Sequence, residues 1–217
     1  VNEILYGVRH HNIRHGIDIN LRSKLRLQQM RNALKKLRGP GKAKNVVTVA
    51  HLHCIRRMLD VASDLDDLTV WSATMIAFHF MCRSSEYCAT CAGGKFDLDR
   101  VIRRCDLVFR DEQGRVLQHR FHLAHSVEIT FGYQKNAGNG DKRVHERQDN
   151  GLCVVQALGA LCTRRTWADE KAPLLSWPEG STKAGQGVRY ADMMMLVKSA
   201  SIRLGDDPKE YATHSFR

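Results

Sequence analysis

Between Leu68 and Met81 the chain carries Leu68, Trp71, Met75 and Phe78 at helical spacing, with Ile76, Phe80 and Met81 on the remaining faces. A helix that is apolar nearly all round has no side to offer to water, so it belongs in the middle of a domain with other elements packed about it. This segment runs directly into two charged residues, Arg83 and Glu86. An unpaired charge at the end of a buried element is costly, which makes the pair a feature to be explained.

The elements around this helix follow from the same periodicity. Thr48 is placed to cap a helix whose apolar face is Val49, Leu52, Ile55, Leu59 and Ala62, closing before the acidic turn Asp64 to Asp67. Upstream, Leu27, Met30, Leu34 and Leu37 recur at three and four within the segment Leu21 to Leu37. Arg22, Lys24, Arg26, Arg31, Lys35 and Lys36 fill its polar positions, so it reads as an amphipathic basic helix. Gly39, Pro40 and Gly41 end it, and a short linker through Lys44 divides the chain into residues 1–44 and 45–217.

After the helices the period changes. Cys105 to Arg110 and Arg115 to Phe121 flank a turn at Asp111 to Gly114, an arrangement expected to be a hairpin, while Val127, Ile129 and Phe131 alternate as a strand does. Lys142 to Arg147 is expected to return as the partner strand, with Asn136 to Asp141 as a flexible tip and Lys135 at its shoulder. Helical spacing resumes through Val154, Ala157, Leu158 and Leu161, and again from Tyr190, Met194 and Val197 towards Leu204 and Gly205. The expected fold class is mainly α with a small antiparallel β-sheet, α+β, and 217 residues can bury a sizeable core.

Charge is distributed unevenly. Residues 1–50 hold eleven basic and two acidic side chains, so this stretch supplies +9 of the net +11. A concentrated positive field attracts polyanions, nucleic acid first and an anionic membrane surface second. No apolar run approaches the roughly 20 residues that span a bilayer, and the first fifteen residues are too polar for a signal peptide, so a soluble chain with no membrane partner is expected. Seven cysteines without disulfide-framework spacing point to reduced thiols inside a cell. Cys88 and Cys91 form a single CxxC pair with no second pair to complete a zinc site, and His10, His11 and His15 read as part of the basic surface.

Three features remain: Arg83 after the buried helix, Lys135 beside the hairpin tip, and His214 with Arg217 at the end of the chain. They stand as Arg83-Ser84-Ser85-Glu86-Tyr87, as Gln134-Lys135-Asn136 and as Thr213-His214-Ser215-Phe216-Arg217. In order and spacing they resemble the tyrosine recombinase, or phage integrase, family. There an arginine comes from a helix end, a lysine from a β-hairpin and a His-x-x-Arg pair from a later helix. The resemblance covers roughly residues 45–217, including the segment Leu152 to Leu158. Residues 1–44 are similar to the end of the family's helical core-binding domain. The wording Arg-Ser-Ser-Glu-Tyr is similar to Crypton-like mobile-element recombinases of eukaryotes, which would imply a nuclear protein.

The resemblance implies a recombinase catalytic-domain fold, double-stranded DNA as partner, a tetrameric homo-oligomer at synapsis, and strand exchange through a phosphotyrosine. Arg83, Lys135, His214 and Arg217 would be its catalytic residues. The family's tyrosine follows the His-x-x-Arg pair, so this chain is expected to stop before its nucleophile; Tyr87 and Tyr211 read as packing.

The chemistry suits these residue types. Attack on a phosphodiester builds negative charge on the non-bridging oxygens, which two arginines meet with bidentate, permanently charged hydrogen bonds. A lysine in a basic site can protonate the departing oxygen, and an imidazole can accept the nucleophile's proton or hold the phosphate. No metal and no small-molecule cofactor is needed. DNA contacts are expected from Arg22, Lys24, Arg26, Arg31, Lys35 and Lys36. Against this, the lesser reading of Arg83 is a helix-end ion pair with Glu86, and Lys142 competes with the preferred Lys135 for the general-acid role. A non-catalytic DNA-binding protein derived from a recombinase and a basic RNA-associated scaffold domain are the alternatives.

Overall fold

The computed structural model describes residues 10–11, 14–15, 29, 32–34, 44–90, 94–132, 140–167, 169–212 and 215–216. The chain divides into two compact units, Val1–Ala43 and Lys44–Arg217. In the first, His10, His11 and Arg14 are helical and exposed, and the His11 and His15 rings lie 4.7 Å apart. Asn32, Ala33 and Leu34 are also helical and exposed. The expected DNA-contacting residues Arg22, Lys24, Arg26, Arg31, Lys35 and Lys36 lie outside the described residues.

The second unit is α+β. Helix α1, Val49–Met58, starts at Thr48, whose Oγ1 lies 2.8 Å from His51 Nδ1, and it buries His51, Leu52 and Ile55. It ends earlier than its apolar spacing suggests: Leu59 is already extended, and Ala62 falls in the turn that follows. The acidic run then opens the next helix. Asp64 Oδ1 accepts from the Asp66 and Asp67 amides at 2.7 and 3.1 Å, and Asp66 and Asp67 occupy the first turn, where carboxylates complement the helix dipole.

Helix α2, Leu65–Phe80, is buried continuously from Leu68 to Ala77. Polar groups inside it are satisfied locally: Thr69, Ser72 and Thr74 donate their hydroxyls to the carbonyls of Leu65, Leu68 and Val70 at 2.7–2.9 Å. Met81 stops the helix in the left-handed region, at φ 50 and ψ 39. The one-turn helix α3, Ser84–Tyr87, follows at once.

Strands β1 (Leu107–Arg110), β2 (Ser126–Phe131) and β3 (Asp141–Glu146) form an antiparallel sheet in the order β1-β2-β3. Leu107, Phe109, Val127, Ile129 and Phe131 alternate inward and are buried. Here the expected pairing is corrected. Residues 115–121 do not form the strand opposite β1; they make one bridge, Arg110 to Val116, and then turn away, so β1 pairs with β2. The reason lies in what each segment can bury. Residues 126–131 present three fully buried side chains to the core, whereas Val116 is exposed and Leu117 and Phe121 are only partly covered.

Helix α4, Val154–Arg164, runs back along α2: Ser72 Oγ reaches the Ala157 carbonyl at 3.3 Å, and Arg164 donates to the carbonyls of Val61 and Ser63 at 2.8 and 3.0 Å. Helix α5, Tyr190–Leu204, packs on α1 and closes at Gly205, φ 84, where the Gly205 and Asp206 amides take up its last carbonyls. Among the described residues no helix is long and apolar enough to cross a membrane.

Candidate active site

The last carbonyls of α2 lack partners within the helix, and both that lie nearest Arg83 are taken by β3. Arg143 Nη1 donates to Phe80 O at 2.8 Å, and His145 Nε2 donates to His79 O at 3.0 Å. Cationic and donor groups are well placed at this end of a helix dipole. The clamp is packed as well as bonded. The His145 ring meets Phe80 edge-on at 4.5 Å, and the Arg143 guanidinium lies 5.2 Å over Phe131 while its Nε pairs with Asp141 at 3.1 Å. His79 turns the other way and donates Nε2 to Leu152 O at 2.8 Å. Burial lowers the His79 pKa below its ordinary 6.5, and the neighbouring His145 lowers it further against the raising effect of the Leu152 carbonyl.

From this clamped end the left-handed Met81 swings the backbone to Arg83. Arg83 occupies the N-cap of α3; its amide donates to Glu86 Oε2 at 3.0 Å and its Nη1 to Glu86 Oε1 at 3.3 Å. The carboxylate is 4% exposed and the guanidinium side chain 29%. Glu86 is therefore a buried anchor holding a half-exposed cation by one edge. A guanidinium has five N–H donors, so an arginine held this way keeps donors for an anion while its orientation is restricted. The helix-end ion pair read as the alternative role of Arg83 is present, and it is compatible with anion binding.

The other three candidates, Lys135, His214 and Arg217, lie outside the described residues. The backbone that borders them is well anchored. At the base of the hairpin, Phe131 pairs with Asp141 and the Gly140 amide donates to Phe131 O at 2.9 Å. Near the chain end Ser215 and Phe216 are buried, Val47 donates its amide to Ser215 O at 2.6 Å, and the Ala212 amide donates to Ser215 Oγ at 2.9 Å.

Lys142, the rival general acid, is engaged elsewhere: its Nζ pairs with Glu128 at 2.9 Å. That hydrogen bond is the main cause holding the Glu128 carboxyl below its usual range. Tyr87 is fully buried and its phenol is pushed up by burial, while Tyr211 donates its hydroxyl to Asp206 at 2.7 Å. Of the CxxC pair, Cys91 lies outside the described residues; Cys88 is buried with its Sγ 3.7 Å from Met193 Sδ. Among the described residues no group of three or more His, Cys, Asp or Glu could hold a metal ion.

No protein-family model matches this chain, and no curated protein matches it.

The clamp residues His79, Arg143 and His145 were not singled out by motif. One signal was available, since positions 141, 143 and 145 of a strand share a face, and three polar residues on one face of a strand need partners there.

Proposed function

We propose that the chain is the DNA-binding, phosphate-activating part of a site-specific recombinase of the tyrosine class. The observation that carries this reading is Arg83: a partly exposed cation just after the end of a buried helix that β3 clamps, held by the buried Glu86 carboxylate and so pre-organised to meet a phosphate. The order of elements supports it. The sequence that bears Arg83 after a helix is followed by an antiparallel pair of strands, β2 and β3, with Lys135 in the segment between them, then by helices before His214 and Arg217.

In this reading Arg83 and Arg217 neutralise the charge that develops on the non-bridging oxygens, Lys135 protonates the leaving 5′ oxygen, and His214 holds the phosphate or takes the nucleophile's proton. The nucleophile in this scheme is a tyrosine that follows the His-x-x-Arg pair. Four such chains on two duplexes would make the synapse.

Incubation with a nicked duplex tests this. The 217-residue chain should retain duplex on a native gel and give no covalent adduct on a denaturing one. A longer chain continuing past Arg217 should give the adduct, and Arg83→Ala in that chain should lower its rate about hundredfold. Failure of the longer chain to form an adduct, with duplex binding intact, would favour the non-catalytic DNA-binding reading, for which the Arg83–Glu86 ion pair would be purely structural.

A further inference from the structure

From Gln113 to Val127 the chain has two arginines and three histidines and no aspartate or glutamate. It makes up most of the connection from β1 to β2, which opens with Asp111 and the exposed Glu112, and its inner side is fixed firmly. Phe121 lies 4.9 Å from Phe109, with the Arg104 guanidinium 4.7 Å over its ring. Its backbone rests directly on α4, where a Cβ at Gly159 would collide with the Phe121 carbonyl; glycine is required there. The His122 amide donates to Thr163 Oγ1 at 3.2 Å, and Arg147 Nη1 donates to His122 O at 2.9 Å. What this scaffold presents outward is His119, Arg120, His122 and Leu123, all exposed, beside the exposed Arg147.

Arg120 is the informative residue. Its φ of 56 and ψ of 42 put it in the left-handed region, and among the described residues only Met81 shares that property without being glycine. An L-residue with a Cβ is disfavoured there, and glycine would serve the turn better. Neither Arg120 nor Arg147 has a carboxylate partner among the described residues. Two of the acids flanking the connection are engaged, Asp111 with Arg115 at 2.7 Å and Glu128 with Lys142 and Arg110, while the exposed Glu112 lies eight positions before Arg120. The exposed Glu146 offsets part of the charge of its neighbour Arg147, but Arg120 has no acidic neighbour in sequence. A strained, exposed, uncompensated cation on a rigid ledge is a residue kept at a cost to the fold, and such strain collects at binding sites.

We infer that the ledge Arg115–His125, with Arg120 at its tip, is a contact surface for the sugar-phosphate backbone of duplex DNA. It rests on the duplex-binding reading above for its partner, and it assigns to the second unit a contact separate from the Arg83 site. Backbone contact is the mode the chemistry favours: guanidinium and imidazole N–H groups on an exposed turn suit phosphate oxygens, and such contacts position a protein without reading sequence.

The decisive variant is Arg120→Gly, because the proposal requires it to move stability and binding in opposite directions. Relief of the left-handed strain should raise Tm by about 2 °C. Loss of one phosphate contact should reduce the slope of log K against log salt for a random-sequence duplex by about 0.9. Arg120→Lys should keep most of the slope, and Arg203→Gln, an equal charge change on α5, should leave it unaltered. If wild type binds duplex and Arg120→Gly binds with the same slope, the ledge is not a contact and the recombinase reading stands without it. Equal losses in Arg120→Gly and Arg203→Gln would reduce the effect to net charge and overturn the assignment. No duplex binding by wild type would remove both readings, and retention on phosphatidylserine vesicles but not on duplex would replace DNA with a membrane surface.

Discussion

At its N-terminal end the backbone amides of α2 are closed by neighbours in sequence: Asp64 accepts from amides two and three residues on, and the Asp60 amide donates to Asp67 Oδ2 seven residues on, at 2.7 Å, with Ser181 Oγ added on Asp66 from 115 positions later. At its C-terminal end the partners come from far away. Arg143 and His145 reach carbonyls 63 and 66 positions earlier, and His79 reaches one 73 positions later. The first end can form as soon as the helix does. The second cannot form until the sheet has docked, because closing so long a loop costs entropy that only the assembled contacts offset. The candidate phosphate-binding arginine sits directly after this second end, so its placement depends on tertiary assembly.

The largest test of this contrast is Arg143→Met. It leaves Phe80 O without this donor and Asp141 without this cation, and should cost about 2 kcal/mol in urea unfolding, most of it from the hydrogen bond because the ion pair is partly exposed. It should also displace Arg83, which appears as weakened duplex binding; a loss of stability with unchanged binding would separate the clamp from the site. Asp64→Ala removes only a local cap and should cost about 1 kcal/mol without touching binding. Were its cost to exceed that of Arg143→Met, the contrast between the two ends would be reversed.

Met81→Gly sharpens the comparison from the other direction. Met81 is 64% exposed and its side chain contributes little packing, so removing the left-handed strain should raise stability by about 0.5–1 kcal/mol in the same unfolding measurement. A decrease would mean that the Met81 side chain, not its backbone, sets the turn.

The smallest effect is a pH slope. The folded-state pKa of His79 lies below its ordinary 6.5, so between those two values the unfolded chain binds more protons than the folded one. The contribution is fully present above about pH 6.5 and is lost as pH falls through the folded value. His79→Gln should flatten this part of the stability profile, and a profile unchanged by the substitution would assign the slope to another group.

Much of the fold could be read from spacing. The burial of α2, the helices through Val154 and Tyr190, and the alternation of Val127, Ile129 and Phe131 are local patterns, and each element lies where its pattern places it. Two local readings failed for a physical reason. The apolar face from Val49 to Ala62 overran α1, because Asp64 makes a better start for α2 than a continuation of α1 would. The stretch Arg115 to Phe121 looked like a strand partner for β1, but it had too little to bury, and β2 took that place. In the candidate site the nature of Arg83 and Glu86 was visible as two charges after an apolar helix. Their hydrogen bonds and unequal burial were not.

By itself the sequence determined which segment must be central, most of the residues that face inward along α2 and β2, and where positive charge concentrates along the chain, because these depend on period, composition and partners a few residues apart; Val49 and Met81, read as apolar faces, are exposed. Only the tertiary structure decided which strand lies beside β1, which side chains close the end of α2, that Glu86 is the buried member of its pair, and that Arg120 is held left-handed with no carboxylate partner among the described residues. Those depend on which loops close and which faces meet, and the contacts that settle them reach beyond a local period, from 16 positions between Arg110 and Ser126 to 66 between His79 and His145.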